Sequence, residues 1–273
     1  MPRTCRLLSV PLFVAVLAAG CGGGSDSTGT TGRPATTDAT PAAPSEPAAG
    51  APPAQAAPAV AGSASLSGTV VYEGAVPELP ALKMDADPGC AKKHGGPVKA
   101  ETLVLGAGNA LANVFVWAKS GVAQGAWPVP GEPLVLDQRG CQYKPHVSGL
   151  MVGQTLKVLN SDQLLHNIHS LPKINSSFNR AMPASVTEAE YSFSKEEVLF
   201  KIKCDVHPWM NAWIGVVAHP FYAVTDSGGT FTISGLPAGT YEIEAWHEKM
   251  DARTASVTLA DGEAGTLDFS FSR

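Results

Sequence analysis

Several signatures of enzymatic chemistry are missing from this sequence. It has no Cys-x-x-Cys-His for haem attachment, no Gly-x-Ser-x-Gly nucleophile elbow and no His-Glu-x-x-His zinc helix. None of its seven histidines forms a His-x-His pair, so the histidine clusters of multicopper oxidases are absent. Charge is sparse, at 16% of residues and a net −5, and no basic stripe runs along the chain. Nucleic acid is therefore excluded as a partner. Beyond the N-terminus no run approaches the about 20 apolar residues of a membrane-crossing helix. These absences leave a binding or carrier role, and no enzyme.

Residues 1–20 carry an export signal. Arg3 and Arg6 give a basic start, Leu7 to Leu17 a short apolar stretch, and Ala18-Ala19-Gly20 the small residues of a cleavage site. The cut falls before Cys21, which resembles the lipidated cysteine of bacterial lipoproteins; ordinary secretion is the alternative. Residues 21–62 are nearly all Gly, Ala, Pro, Ser and Thr. Such a composition cannot bury enough surface to offset its ordering entropy, and it reads as a disordered tether. The expected location is periplasmic or cell-surface, with the lipid anchoring the chain to a membrane.

The rest reads as all-β. Runs rich in Val, Ile, Thr, Phe and Tyr recur between turn residues, with strands expected at 67–72, 101–105, 112–118, 133–137, 154–160, 198–204, 212–218, 229–233, 239–246, 254–259 and 265–271. A turn or two of helix is expected in the Glu-rich stretch 185–197.

What is present in concentrated form is a set of soft metal donors. Cys204, His207 and Met210 stand three residues apart in Cys204-Asp205-Val206-His207-Pro208-Trp209-Met210. Thiolate, imidazole and a weak thioether together suit copper, whose reduced form prefers sulfur and whose oxidised form accepts nitrogen. Magnesium and calcium prefer oxygen, and zinc usually takes four strong ligands. Strand alternation puts Phe200, Ile202 and Cys204 on one face and Lys201 and Lys203 on the other, which aims Cys204 inward. His166, in Leu164-Leu165-His166-Asn167-Ile168-His169, is the candidate fourth ligand, whereas His169 points to the opposite face. His247 is expected to be a surface or structural residue, and His219-Pro220 a joint between domains.

Two resemblances organise these parts. Met151 to Asp162, followed by His166-Asn167-Ile168-His169, resembles the strand and first-ligand loop of cupredoxins, and Cys204-x-x-His207-x-x-Met210 resembles their short ligand loop. The chain departs from many cupredoxins in having Ile202 and Lys203 before the cysteine and a long 170–197 segment. The resemblance implies one type 1 copper ion on His166, Cys204, His207 and Met210, serving single-electron transfer to a redox partner protein. It also implies that Asn167 steadies the cysteine loop, that His207 lies nearest the surface, and that Pro208 and Trp209 form an apolar docking rim. Thr225 to Ile233 and Gly235 to Tyr241 resemble the carboxypeptidase regulatory-like, transthyretin-like β-sandwich, whose opening strands look like Ser67 to Tyr72 and Ala112 to Trp117. The expected architecture is a Greek-key cupredoxin-like sandwich, 126–218, joined to or inserted in a discontinuous sandwich of 63–125 plus 219–273. Two consecutive domains are the alternative.

Of five cysteines, Cys5 would leave with the signal and Cys21 would take lipid, and if Cys204 binds metal, two remain. An exported chain would join the remaining Cys90 and Cys141 in a disulfide, though Cys90, His94, Cys141 and His146 allow a second, zinc-like site. Two rival functions are copper capture or delivery, and a cell-surface interaction module with structural metal or none.

Overall fold

The computed structural model describes residues 61–273. The signal segment, Cys21 and nearly all of the tether lie outside the described residues. Among the described residues no helix is long and apolar enough to cross a membrane.

Strands account for most of the regular structure. Along the chain run β1 (Ala64–Tyr72), β2 (Phe115–Ser120), β3 (Leu134–Gln138), β4 (Tyr143–Lys144), β5 (Val147–Met151) and β6 (Thr155–Asn160). Then follow β7 (His166–Leu171), β8 (Asn179–Met182), β9 (Glu188–Ser192), β10 (Glu197–Lys203) and β11 (Asn211–Val217). The last third holds β12 (Tyr222–Val224), β13 (Thr230–Leu236), β14 (Gly239–His247), β15 (Met250–Leu259), β16 (Ala264–Thr266) and β17 (Phe269–Phe271). One four-residue helix, α1 (Pro88–Ala91), sits in the long connection between β1 and β2.

Four sheets make two sandwiches. The outer one faces β13-β1-β16, with β17 also on β1, against β12-β2-β14-β15. Alternation decides its inner faces: in β13 Phe231 and Ile233 are buried while Thr230 and Thr232 are exposed, and in β14 Tyr241, Ile243 and Ala245 turn inward. Their core joins Leu66, Val70, Val114, Val116, Phe231, Ile233, Ile243 and Phe271. The inner sandwich faces β5-β11-β10-β7-β8 against β4-β3-β6-β9. It contains two parallel pairings, β5 with β11 and β3 with β6. Its core holds Leu136, Leu150, Leu156, Val158, Ile168, Ile202, Ile214 and the donors Cys204 and Met210.

Strands from both ends of the chain thus share the outer sheets, because β1 pairs with β13 and β2 with β14. Leu82, Met84, Cys90 and Val98, expected with the outer sandwich, cluster with the inner core instead. The two sandwiches meet on a flat platform: Gly149 and Gly215 lie opposite each other on β5 and β11. A Cβ on Gly215 would stand 2.7 Å from the Phe115 ring, and one on Gly149 would stand 2.4 Å from Tyr222. Glycine is needed there because the rings rest directly on backbone. A buried His146 Nε2 to Glu248 Oε1 contact of 2.5 Å adds a polar tie between the same two bodies.

Two secondary-structure expectations fail. Residues 101–105 form turns, with only an isolated bridge of Leu105 to Leu111. The 185–197 stretch is not helical; its centre is β9, which pairs antiparallel with β6. Ala189 is buried between exposed Glu188 and Glu190, so the period of two overrides the helix preference of glutamate.

Candidate metal centre

Four chain segments build the centre. β6 ends at Asn160, a buried amide that donates from Nδ2 to Leu164 O (2.9 Å) and Met182 O (3.0 Å). These bonds fix the 160–165 loop, so that Asp162 and His166 at the start of β7 both enter the core. β10 delivers Cys204 inward, following the alternation of buried Phe200 and Ile202. The loop after it is closed by backbone bonds from Cys204 N to Met210 O (3.1 Å) and from Met210 N to His207 O (2.9 Å). The buried Tyr143 hydroxyl donates to Asn167 O (2.5 Å) and Lys203 O (3.2 Å), spanning the histidine and cysteine strands.

His166 Nδ1 and His207 Nδ1 lie 3.0 Å apart, and Cys204 Sγ lies 3.9 Å from His207 Nδ1. The ligand atoms of the three residues are all within 4.8 Å of one another. Each histidine uses its other nitrogen on a carboxylate: His166 Nε2 with Asp162 Oδ2 at 2.9 Å, and His207 Nε2 with Asp87 Oδ2 at 3.0 Å. An Nε2–H donated to a carboxylate leaves the Nδ1 lone pair free, which fixes the tautomer and ring orientation a metal ligand needs.

The electrostatics favour the ligating form of sulfur. Burial pushes the Cys204 thiol up, but His166 and the backbone N–H groups of His207, Asn167 and Val206 more than offset it and hold it below its ordinary value. Thiolate is the form that binds metal. Burial likewise opposes ionisation of Asp162, yet His166, the N–H groups of Cys141 and Gly140, and Lys93 hold its carboxyl well below the usual range. For His166 burial works downward and Asp162 with Cys204 works upward, and the upward pull wins. Asp87 is lowered first by its bond to His207 and then by the N–H of Gly89.

Met210 is 1% exposed and lies in the same core as Cys204. Asn167 Oδ1 accepts from Asp205 N at 2.8 Å at the start of the cysteine loop. Pro208 is exposed and Trp209 half-buried, its Nε1 donating to Cys141 O at 3.1 Å. His169 faces away and pairs with Asp205 at 3.0 Å. His247 is buried at the end of β14, and among the described residues it belongs to no cluster of three or more metal-donor groups.

Cys90 and Cys141 form a disulfide. His94 does not join them as a ligand, since its Nε2 is 2.8 Å from Gly140 O, and His146 is committed to Glu248. The disulfide holds α1 over the centre, and this corrects one expectation. His207 is only 2% exposed, because Asp87 and Cys90 cover its outer edge, with Cys90 Sγ 3.5 Å from Nε2. Asp87, Asp162 and Tyr143 were not legible as part of the site. An acid four residues before His166 was the one available signal, and it has meaning only once the 160–165 loop is known.

Residues 209–272 match the family model of the carboxypeptidase regulatory-like domain. The match takes in β12 to β17 and also β11, which lies in the inner sandwich. No curated protein matches the chain. Among solved structures, the chain is similar to the Cu(I) form of an amicyanin mutant, at 19% identity and a TM-score of 0.28, covering 38% of this chain and 98% of amicyanin. It is also similar to a purple cupredoxin from Nitrosopumilus maritimus, at 23% identity and a TM-score of 0.26, covering 30% of this chain and 98% of the other. A copper-containing nitrite reductase from Thermus scotoductus SA-01 aligns at 21% identity and a TM-score of 0.28, over 36% of this chain and 25% of the reductase.

Proposed function

We propose that this chain is an exported, membrane-tethered blue-copper protein that carries single electrons and is not itself an enzyme. The observation that carries the reading is the convergence of His166 Nδ1, His207 Nδ1 and Cys204 Sγ on one buried point, with each Nε2 already engaged by a carboxylate. One thiolate and two imidazoles fit copper by donor type, and the buried Met210 of the same loop would offer a thioether as a further donor. Copper, when bound, supplies the one-electron couple. The chain's own residues supply rigidity: the closed 204–210 loop, the Tyr143 bridge and the two carboxylates fix the side chains that would hold the ion.

The exposed Leu165, Val206 and Pro208 lie in the loops that carry the ligands and form the apolar rim for a redox partner protein. A net charge of −5 implies weak steering and modest salt dependence of that docking. A lipid on Cys21 would anchor the chain to a membrane.

Copper capture or delivery is the rival use of the same donors. The cover of Asp87 and Cys90 over His207 favours retention over exchange, and so favours the carrier.

The deciding experiment is a visible spectrum of residues 63–273 titrated with Cu(II), alongside Cys204→Ser. The expected result is an intense thiolate-to-copper band that is lost in the variant and bleached by a reductant. Stoichiometric copper without that band overturns the electron-carrier reading. A band accompanied by copper loss to a chelator within seconds favours delivery.

A further inference from the structure

Two further donor sets meet beneath the disulfide. The ligand atoms of Asp87, Cys90 and His207 lie within 4.8 Å of one another, and so do those of Cys141, Asp162 and His166. The sets are joined by the bridge itself, since Cys90 Sγ is bonded to Cys141 Sγ. Each sulfur therefore has a carboxylate beside it and borders the histidine edge turned away from Cys204.

The two sulfurs are held in place by more than their mutual bond. Asp87 Oδ1 accepts from Gly89 N (2.8 Å) and Cys90 N (3.4 Å), which fixes the turn carrying Cys90. Asp162 accepts from Gly140 N and Cys141 N, each at 2.7 Å. Those bonds hold Cys141 at φ 51°, a left-handed conformation that a cysteine adopts only when its surroundings dictate it. The cover is further pinned by Lys93 Nζ to Asp162 O (2.9 Å) and Oδ1 (3.2 Å), and by His94 to Gly140 O (2.8 Å). None of these contacts is made through the S–S bond itself.

We propose that reduction of Cys90–Cys141 creates a second metal site, a buried dithiolate for Cu(I) flanked by the Asp87 and Asp162 carboxylates. The bridge then decides whether the chain holds one ion or two. An external dithiol performs the reduction: the Cys90–Cys141 bond breaks, two thiols form, and the reductant leaves as its own disulfide with its two electrons and two protons transferred. Binding of Cu(I) releases the two thiol protons to water. Two thiolates alone suit the soft Cu(I) ion better than zinc, which usually takes four strong ligands, and both carboxylates are already paired with His207, His166 and Lys93. The first centre keeps its own donors, because Cys204 and both Nδ1 atoms are not used by the second.

The test uses the full chain and Cu(I) supplied from a chromogenic chelator, with bound copper counted by native mass spectrometry. A phosphine serves as reductant, taking oxygen from water as its oxide while the two thiols form, and it is removed under anaerobic conditions before Cu(I) is added, since dithiols and phosphines both bind Cu(I). The expected counts are one ion for the oxidised chain and two after reduction. Cys204→Ser should go from none to one on reduction, which separates this site from the proposed electron-transfer centre. Failure of that centre would remove the first ion and leave the increment intact. The double variant Cys90→Ser/Cys141→Ser should show no increment. An unchanged count in the reduced wild type overturns the proposal. So does an increment that survives in the double variant, and so does loss of the near-ultraviolet circular dichroism on reduction, because the site requires the cover to stay folded.

Discussion

Asp162 and His166, four residues apart, are joined by a 2.9 Å contact between Oδ2 and Nε2, and both side chains are almost fully buried. The same carboxylate accepts the N–H groups of Gly140 and Cys141. One acid therefore couples the tautomer of a candidate ligand to the loop that carries the disulfide.

This coupling makes Asp162→Asn informative. The amide keeps the size of the side chain but brings an NH2 against donors that need an acceptor. Loss of such an outer partner typically weakens metal affinity by about 10–100-fold. A competition titration with a copper chelator should show that drop while the circular dichroism of the sandwich is retained. Unchanged affinity would mean that the His166 ring is oriented without Asp162.

The joint between the sandwiches is a second place for a sharp outcome. Gly149 and Gly215 pair across β5 and β11, and the Tyr222 and Phe115 rings lie where their Cβ atoms would be. Gly215→Ala should cost about 1–3 kcal/mol by overpacking, read as a lower urea midpoint. Gly153→Ala is a different case, since nothing lies within 4 Å of the added carbon and only its φ of +84° opposes the change. If Gly215→Ala has no effect, the two bodies are not in rigid contact there.

Acid stability should report His247. The side chain is 2% exposed, and burial, only partly opposed by Glu248, pushes its pKa down to about 4. Its Nδ1 accepts from Lys249 N, as suits a neutral ring. An unfolded histidine binds its proton near 6.5, so between the two values the unfolded state holds more protons. Stability is then full above about pH 6.5 and falls towards pH 4, by up to about 3 kcal/mol from this group. His219, also lowered by burial, acts in the same direction. Denaturant midpoints of the metal-free chain from pH 7 to 4 should be less steep in His247→Gln than in the wild type. Parallel curves would assign the acid loss to other groups.

What the sequence makes legible follows from the range of the interactions. Cys204, His207 and Met210 share one short loop, and the inward aim of Cys204 follows from the parity of Phe200 and Ile202, so local rules suffice. Counting thiols in a chain expected to be exported favours the Cys90–Cys141 pairing over a second metal site, and the structure holds that disulfide. Asp87 and Asp162 were out of reach for the opposite reason. Asp87 meets His207 across 120 residues and lies in the connection between β1 and β2, whose regular pieces are a helix of four residues and short 3-10 turns. That distance also hid the burial of His207, which no pattern within the ligand loop reveals. The 101–105 run is apolar enough for a strand but has no sheet edge to join, and pairing rather than propensity decides strands.

The Asp87 contact leads to the most direct test of the cover. Asp87 accepts His207 Nε2–H and caps α1, so Asp87→Ala removes a ligand-orienting bond and an N-cap together. Loss of the cap costs about 1 kcal/mol locally, which loosens the cover without unfolding the sandwich. Chelator-driven copper removal, followed by stopped flow, should then accelerate by about 10–100-fold. Asp85→Ala is the matched control: Asp85 sits on the same segment, is exposed, and is not among the hydrogen-bond partners of the His207 side chain. Acceleration in Asp87→Ala alone means that the cover, through one hydrogen bond, sets how long copper stays. Equal rates in both variants mean that copper leaves by a path that avoids His207's outer edge, and that the buried position of this histidine serves packing alone.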